Sequence, residues 1–443
     1  MYLHQNASVC SCGKIHACAL EHLLIGKNAL EKLPQAIRFC ECQRVFLLAD
    51  TNTYRAAGIR TEEILTREGI AFSKYVFPHS PDPDETAVGS AIMHFDASCD
   101  LVLAVGSGVI GDISKILANV SDAEYMIVAT APSMDGYASA TSSMTRNGLK
   151  ISLPSKAARV IIGDTDILKN APMEMLISGL GDMLAKYISI AEWRISHIIT
   201  GEYYCEAVAD FIRASLKKCV DHADGLIRRE DAAVEAVFEG LVNAGAAMSY
   251  AGLSRPASGI EHYFSHLWDM RGVEFGERIS THGIQCAVAT LISARLYDRF
   301  KKTVPNREKG LAYAKGFDKD AWFSELTDFL GKGARDMIAL EAKEQKYSID
   351  KHEKRLDTIL KKWDELVAVM EEIPSAKAVE DILLRIGCPI SPEAWGFSDD
   401  LLPTTFKATK DIRDKYVLSR LAFDLGILDE LATVCSEKRA TGA

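Results

Sequence analysis

The amino-acid sequence predicts an α/β N-terminal domain with a Rossmann-like, mainly parallel sheet, followed by an all-helical C-terminal domain. Three observations carry this reading. Short, fully apolar runs alternate with amphipathic stretches from about residue 23 to 165, the pattern of strands buried on both faces between helices. Beyond Pro172 strand signals almost vanish and helical periodicity continues to the end. Within the first of these regimes, one apolar run ends in a glycine-rich turn that opens a helix. The expected domains are therefore 1–168, α/β, and 169–443, helical.

Taken in order, Val45-Phe46-Leu47-Leu48-Ala49 ends at Asp50, Leu101-Val102-Leu103-Ala104-Val105 at Gly106, and Met126-Ile127-Val128-Ala129 at Thr130. Each reads as a buried strand, with the amphipathic stretches 61–69, 84–98 and 109–120 as the intervening helices. Val160-Ile161-Ile162 is the last strand. The Ser-, Gly- and Thr-rich stretch 133–158 reads as an excursion or hairpin. Pro172 suits the first turn of a helix. The segment 341–373 is dense in Lys and Glu. Within it Leu356, Ile359, Leu360, Trp363, Leu366, Val367 and Met370 form a stripe at helical spacing, read as packing or a subunit contact, and Pro374 stops it.

At 443 residues the chain is long enough for two separate cores. A formal net charge of −10 argues against a general nucleic-acid or anionic-membrane binder. A local cationic pocket for a phosphorylated small molecule stays compatible with that balance. No apolar run reaches the length of a membrane span, and the polar N-terminus lacks a signal-peptide core, so no membrane insertion and a cytoplasmic location are expected. The 11 cysteines are odd in number and scattered, which fits reduced thiols rather than a disulfide framework. Cys10, Cys12, His16 and Cys18 crowd together without the separated ligand pairs of a zinc finger, so local packing is favoured over structural zinc there.

Two sets of residues carry chemistry. Gly106-Ser107-Gly108-Val109-Ile110-Gly111-Asp112 follows a strand and opens a helix, so backbone N–H groups and the helix N-terminus can meet a pyrophosphate. Asp50, at the end of an earlier strand, can accept from ribose hydroxyls and would repel a 2′-phosphate, which points to NAD over NADP; it can equally begin a turn. Asp112 can likewise be a first-turn residue supporting the helix dipole. The second set lies in the helical half: Asp182, His262, His266 and His282. One carboxylate and two imidazoles suit a divalent transition metal with open positions. His262 and His266 share a helical face, but Tyr263-Phe264-Ser265 between them supplies no zincin glutamate.

Together these pieces resemble the sn-glycerol-1-phosphate dehydrogenases, particularly the longer bacterial type, within the superfamily of glycerol dehydrogenase, iron-containing alcohol dehydrogenase and dehydroquinate synthase. The resemblance rests on the ordered set Gly106 to Asp112, Thr130-Ala-Pro-Ser133-Met-Asp135-Gly-Tyr-Ala-Ser139, Gly181-Asp182, Ser258-Gly-Ile-Glu261-His262-Tyr-Phe-Ser-His266 and Thr281-His282-Gly283. It implies a dehydroquinate synthase-like fold and metal ligation by Asp182, His262 and His282. It implies nicotinamide-cofactor contacts, NAD or NADP, from Gly108, Val109, Ile110, Gly111, Asp112, Thr130, Ser133 and Ser139. Asp135 and His266 match substrate-facing positions. From the residues alone, Asp135 reads as a turn former before Gly136, and His266 as a core histidine or one that supports the ligands. Lys186, four residues after Asp182, reads as a surface or ion-pair residue.

The implied reaction interconverts dihydroxyacetone phosphate and sn-glycerol 1-phosphate with zinc, nickel or iron, in a homodimer serving phospholipid biosynthesis. A dehydrogenase of unphosphorylated glycerol or another polyol is the alternative enzyme, and a non-catalytic cofactor-binding protein the alternative class. Two departures stand out. Ser107 replaces a glycine common in relatives, and the charged segment 301–375 is long beside the shorter archaeal members.

Overall fold

The computed structural model describes residues 9–146 and 149–436. Its contacts divide into two compact units, Met1–Met183 with Glu206–Ala257, and Leu184–Cys205 with Ser258–Ala443.

The first unit holds a six-stranded sheet. β1 (His22–Gly26), β2 (Arg44–Asp50), β3 (Ala71–Phe77), β4 (Leu101–Gly106) and β5 (Glu124–Ala129) precede a two-stranded antiparallel hairpin, β6 (Thr141–Arg146) and β7 (Leu149–Pro154). β8 (Val160–Asp164) returns to the sheet, whose order is β1-β8-β5-β4-β2-β3 with every pairing parallel. The four apolar runs named above form β2, β4, β5 and β8, and 133–158 contains the hairpin. Helices α1 (Leu33–Phe39), α2 (Ile59–Arg67), α3 (Glu85–His94) and α4 (Gly108–Ser121) make the crossovers that parallel strands require. Leu33, Ile37, Ile64 and Leu65 pack with Val45, Leu47, Leu103, Val105, Met126 and Ile162 into one core cluster.

Among the further helices of this unit, the long ones are α5 (Met173–Leu184), α7 (Glu206–Asp221) and α8 (Asp231–Ala251); α6 (Lys186–Thr200) belongs to the second. Glycines allow α5 and α8 to approach the loop after β5. A Cβ on Gly179 would stand 1.8 Å from the Pro132 carbonyl oxygen, and one on Gly245 would stand 2.8 Å from that of Asp135.

The second unit is helical throughout its described residues. α9 (Ile260–Phe275) and α10 (His282–Phe300) are followed by α11 (Arg307–Gly316), α12 (Lys319–Leu330), α13 (Ala334–Glu344), α14 (Ile349–Lys361), α15 (Trp363–Met370), α16 (Ala376–Arg385), α17 (Leu402–Thr409) and α18 (Leu418–Asp424). The stretch 341–373 is not one continuous helix. Gln345 takes a left-handed conformation (φ 50°) after α13, and the chain breaks again at Lys362. Its stripe still packs inward, with Leu356, Ile359, Leu366 and Met370 fully buried.

The charges of this region have buried partners. Asp411 accepts from Trp322 Nε1 (2.8 Å), Tyr347 Oη (2.6 Å) and Arg420 Nη2 (2.9 Å), while Asp424 accepts from His352 Nδ1 (2.9 Å), Arg355 Nε (2.7 Å) and Tyr416 Oη (2.8 Å). Among the described residues no helix is long and apolar enough to cross a membrane.

Candidate active site

In the sheet unit the candidate residues collect at one edge. β2, β4 and β5 are parallel neighbours, so Asp50, Gly106 and Ala129 end them side by side. Chain order reverses between β2 and β4: β3 lies outside β2, whereas β5, β8 and β1 lie beyond β4. Open α/β sheets bind ligands at the carboxyl ends of strands flanking such a switch point. Gly108, Val109, Ile110 and Gly111 form the first turn of α4 there; the first three carry the N–H groups that a helix start leaves without an intrahelical acceptor, while Gly111 N donates to Ser107 O (2.8 Å). A Cβ on Gly111 would come into contact with Ile127 Cδ1 (3.4 Å) and Tyr125 Oη (3.6 Å), so α4 lies close against β5 here.

The polar candidates here are held by the fold. Asp50 Oδ1 accepts from Asn52 N (2.7 Å) and Thr53 N (2.9 Å), while Thr53 Oγ1 accepts from Asp50 N (3.0 Å), a reciprocal helix cap. Its turn-starting role is therefore present, and it fixes the carboxylate at the strand end. Asp112 accepts from Ser143 N (3.1 Å) and faces Lys115 Nζ at 3.3 Å; burial raises its carboxyl against the pull of that ammonium. The Thr130 N–H donates to Gly106 O (3.1 Å), and Ser139 Oγ accepts from Lys115 Nζ (3.2 Å). Ser133 O accepts from Ser178 Oγ (2.9 Å), and Asp135 N donates to Asp182 Oδ2 (2.9 Å). Asp182 is fully buried near the end of α5. Two hydrogen bonds thus lock the loop after β5 onto α5.

In the helical unit, α9 and α10 bring three imidazoles together. The ring centroids of His262 and His282 lie 5.1 Å apart, and His266 lies 6.4 Å from each. Glu261 Oε1 accepts from His262 Nδ1 (2.8 Å) and Gly259 N (2.7 Å). With Nδ1 carrying that proton, the lone pair of His262 resides on Nε2, the arrangement common behind metal-binding histidines. Burial pushes the Glu261 carboxyl up to about 7, against the backbone N–H of Gly259 and the charges of Lys186 and Lys415. Ser265 Oγ lies 3.1 Å from His282 Nδ1. Donor atoms of His262, His282 and Cys286 all lie within 4.8 Å of one another.

Comparison with known proteins supplies the family. Residues 24–172 match the model of the iron-containing alcohol dehydrogenases. The chain is 27% identical over 417 residues to the glycerol-1-phosphate dehydrogenase [NAD(P)+] of Halalkalibacterium halodurans, covering 93% of this chain and 94% of that protein. It is 33% identical over 287 residues to the Bacillus subtilis protein of the same name, covering 64% of this chain and 72% of the relative. The chain belongs to the glycerol-1-phosphate dehydrogenase family. A solved 1,3-propanediol oxidoreductase superimposes at a TM-score of 0.61 with 15% identity, over 95% of this chain and all of that one. The dehydroquinate synthase-like fold expected from the sequence is the fold observed.

Within this glycerol-1-phosphate dehydrogenase frame, sequence reasoning passed over four residues. Glu261, which the motif alone gives no role, orients His262 through Nδ1. Ser265 stands in the same way behind His282. Cys286 follows His282 by four positions on one face of α10, a spacing readable in advance. Lys115, one turn beyond Asp112, is almost fully buried and reaches Ser139 Oγ, Thr141 O (3.2 Å) and Gly136 O. No sequence signal separates such a lysine from a solvated one on an amphipathic helix. Lys186 is fully buried at the start of α6, so its surface reading is corrected.

Proposed function

We propose that the chain is a metal-dependent, NAD(P)-linked oxidoreductase that interconverts dihydroxyacetone phosphate and sn-glycerol 1-phosphate. The observation that carries this reading is the pair His262 and His282, each with its Nδ1 beside a hydrogen-bonding side chain, in a chain whose relatives are named for that activity. Asp182, His262 and His282 are the residues that would hold one divalent cation. Zinc, nickel and iron all accept an Asp oxygen with two imidazole nitrogens. Bound there, the cation would supply Lewis acidity at a substrate carbonyl, as the nicotinamide would supply the hydride.

The protein's own part is positioning and proton handling. Glu261 and Ser265 fix the rings of His262 and His282. Backbone groups of Gly108, Val109, Ile110 and Gly111 receive the cofactor pyrophosphate, with Asp112 and Ser139 bracing the loop through Lys115. Thr130 and Ser133 border the same strand ends. Asp50, already rigid as a cap, accepts from the adenosine ribose and so favours NAD. Asp135, locked to Asp182 through its backbone, orients the substrate hydroxyls, and His266 exchanges the proton of the C2 oxygen. The enzyme is cytoplasmic and homodimeric on this reading, with a product that enters phospholipid synthesis.

The test is turnover by purified protein of dihydroxyacetone phosphate against unphosphorylated dihydroxyacetone, with NADH or NADPH, after chelation and readdition of single metals. The phosphorylated substrate is expected to be preferred, with sn-glycerol 1-phosphate as the stereoisomer formed and His282→Ala inactive. Preference for the unphosphorylated triose, or full turnover without metal, overturns the proposal.

A further inference from the structure

The N-terminal cysteines play no part in the chemistry above, yet their geometry is that of a ligand set. The loop closes tightly: Cys10 N donates to Lys14 O (2.9 Å) and Gly13 N donates to Cys10 O (2.8 Å), with Gly13 at φ +83°. This knuckle turns both thiols to one side. Cys12 Sγ lies 3.5 Å from His16 Nε2, and the sulfurs of Cys10 and Cys12 and a nitrogen of His16 all fall within 4.8 Å of one another. Cys18, by contrast, turns away to donate to Leu20 O. The histidine is prepared for coordination. His16 is nearly buried, and its Nδ1 donates to the backbone carbonyl of Tyr250 at the end of α8 (2.9 Å), leaving the lone pair on Nε2 facing the thiols.

We propose that Cys10, Cys12 and His16 bind a zinc ion, separate from the cation assigned to Asp182, His262 and His282. Tetrahedral zinc with ordinary Zn–S and Zn–N bonds places a sulfur and a nitrogen ligand about 3.5 Å apart, which is the Cys12–His16 separation observed. Crowding in sequence, which argued against zinc, is no obstacle once the Gly13 turn folds Cys10 and Cys12 onto one side. The ion would clip the N-terminal loop to the C-terminal end of α8 through His16, closing the entry to β1.

The experiment uses the full-length protein purified with zinc and without chelator. Metal content per chain is measured by mass spectrometry for the wild type, Cys12→Ser and His282→Ala. Cys12→Ser is expected to hold one zinc fewer than wild type while keeping turnover within about twofold when catalytic metal is added back. His282→Ala loses turnover and keeps the N-terminal zinc. Independently of any variant, Cys10 and Cys12 of zinc-loaded wild type should resist iodoacetamide, mapped by peptide mass, and become reactive after chelation. Equal zinc in Cys12→Ser and wild type overturns the proposal, as does rapid alkylation of both thiols in zinc-loaded protein, the result expected of a simple thiol–imidazole hydrogen bond. Because thiol protection is read without turnover, failure of the dehydrogenase assignment leaves this result legible.

Discussion

Glu261 supports two neighbours with one oxygen, accepting from the Gly259 N–H that precedes α9 and from His262 Nδ1. Fully buried carboxylates are costly unless bonded, so this placement has a purpose beyond packing. We predict that Glu261→Gln weakens metal affinity by about 10–100-fold, the usual effect of removing the acceptor behind a ligating histidine. Turnover at saturating metal should fall much less. Metal titration followed by rate measurement at each concentration checks this. Unchanged affinity would reduce Glu261 to a cap for Gly259. The proposed Asp182, His262 and His282 set could be picked out from sequence because each residue sits in its own short motif. Glu261 and Ser265 were not, because their role depends on which ring nitrogen they meet, and only the folded rotamers determine that.

At the scale of elements, the strands that sequence alone revealed are β2, β4, β5 and β8, all interior to the sheet and apolar on both faces. The two that escaped notice, β1 and β3, are its edges. His22–Gly26 is half-exposed and Ala71–Phe77 mixes Ser73 and Lys74 among its aromatics. An edge strand must keep solvated positions, so it carries less of the apolar signal. The glycine-rich turn Gly106–Asp112 was legible for the opposite reason, since glycine spacing survives without burial. Contacts between a helix and a loop leave no such trace.

Gly179 is the clearest case of this. A methyl group there would overlap the Pro132 carbonyl, a backbone atom with little room to move. We predict that Gly179→Ala costs about 1–3 kcal/mol, as overpacking does, and raises the KM for the cofactor by shifting Ser133 and Asp135. Gly89, inside α3 with open space where a Cβ would stand, is the control: Gly89→Ala should stabilise by about 0.5–1 kcal/mol. Denaturant melts of the two variants decide it, and a neutral Gly179→Ala would mean that α5 is free to shift.

Across the whole molecule, the long charged segment 301–375 lacks an assigned catalytic role, and its buried ion pairs give it a structural one. Asp424 illustrates how. Burial by itself would raise its carboxyl, but Arg355 and His352 hold it down at about 2. Burial opposes ionisation of Asp411 too, and Lys410, Arg420 and Lys346 overcome it, keeping that carboxyl well below the usual range. A carboxyl depressed by folding contributes stability that is fully present above its unfolded pKa of about 3.9 and is lost as pH falls from there through the folded value. For Asp424 this amounts to about 2–3 kcal/mol at neutral pH.

The chain should therefore hold its stability down to about pH 5 and lose it steeply between about pH 4 and 2. Asp424→Asn leaves a buried amide in place of the carboxylate and the partly buried Arg355 without its partner, a loss of about 2–4 kcal/mol at pH 7, toward the lower end of what breaking a buried pair costs because Arg355 keeps some solvent. The same variant no longer releases a proton on folding at this position, so its acid limb should be shallower than that of the wild type. Urea unfolding at a series of pH values measures both. Parallel acid limbs for the two proteins would show that the stability of the helical unit does not run through Asp424.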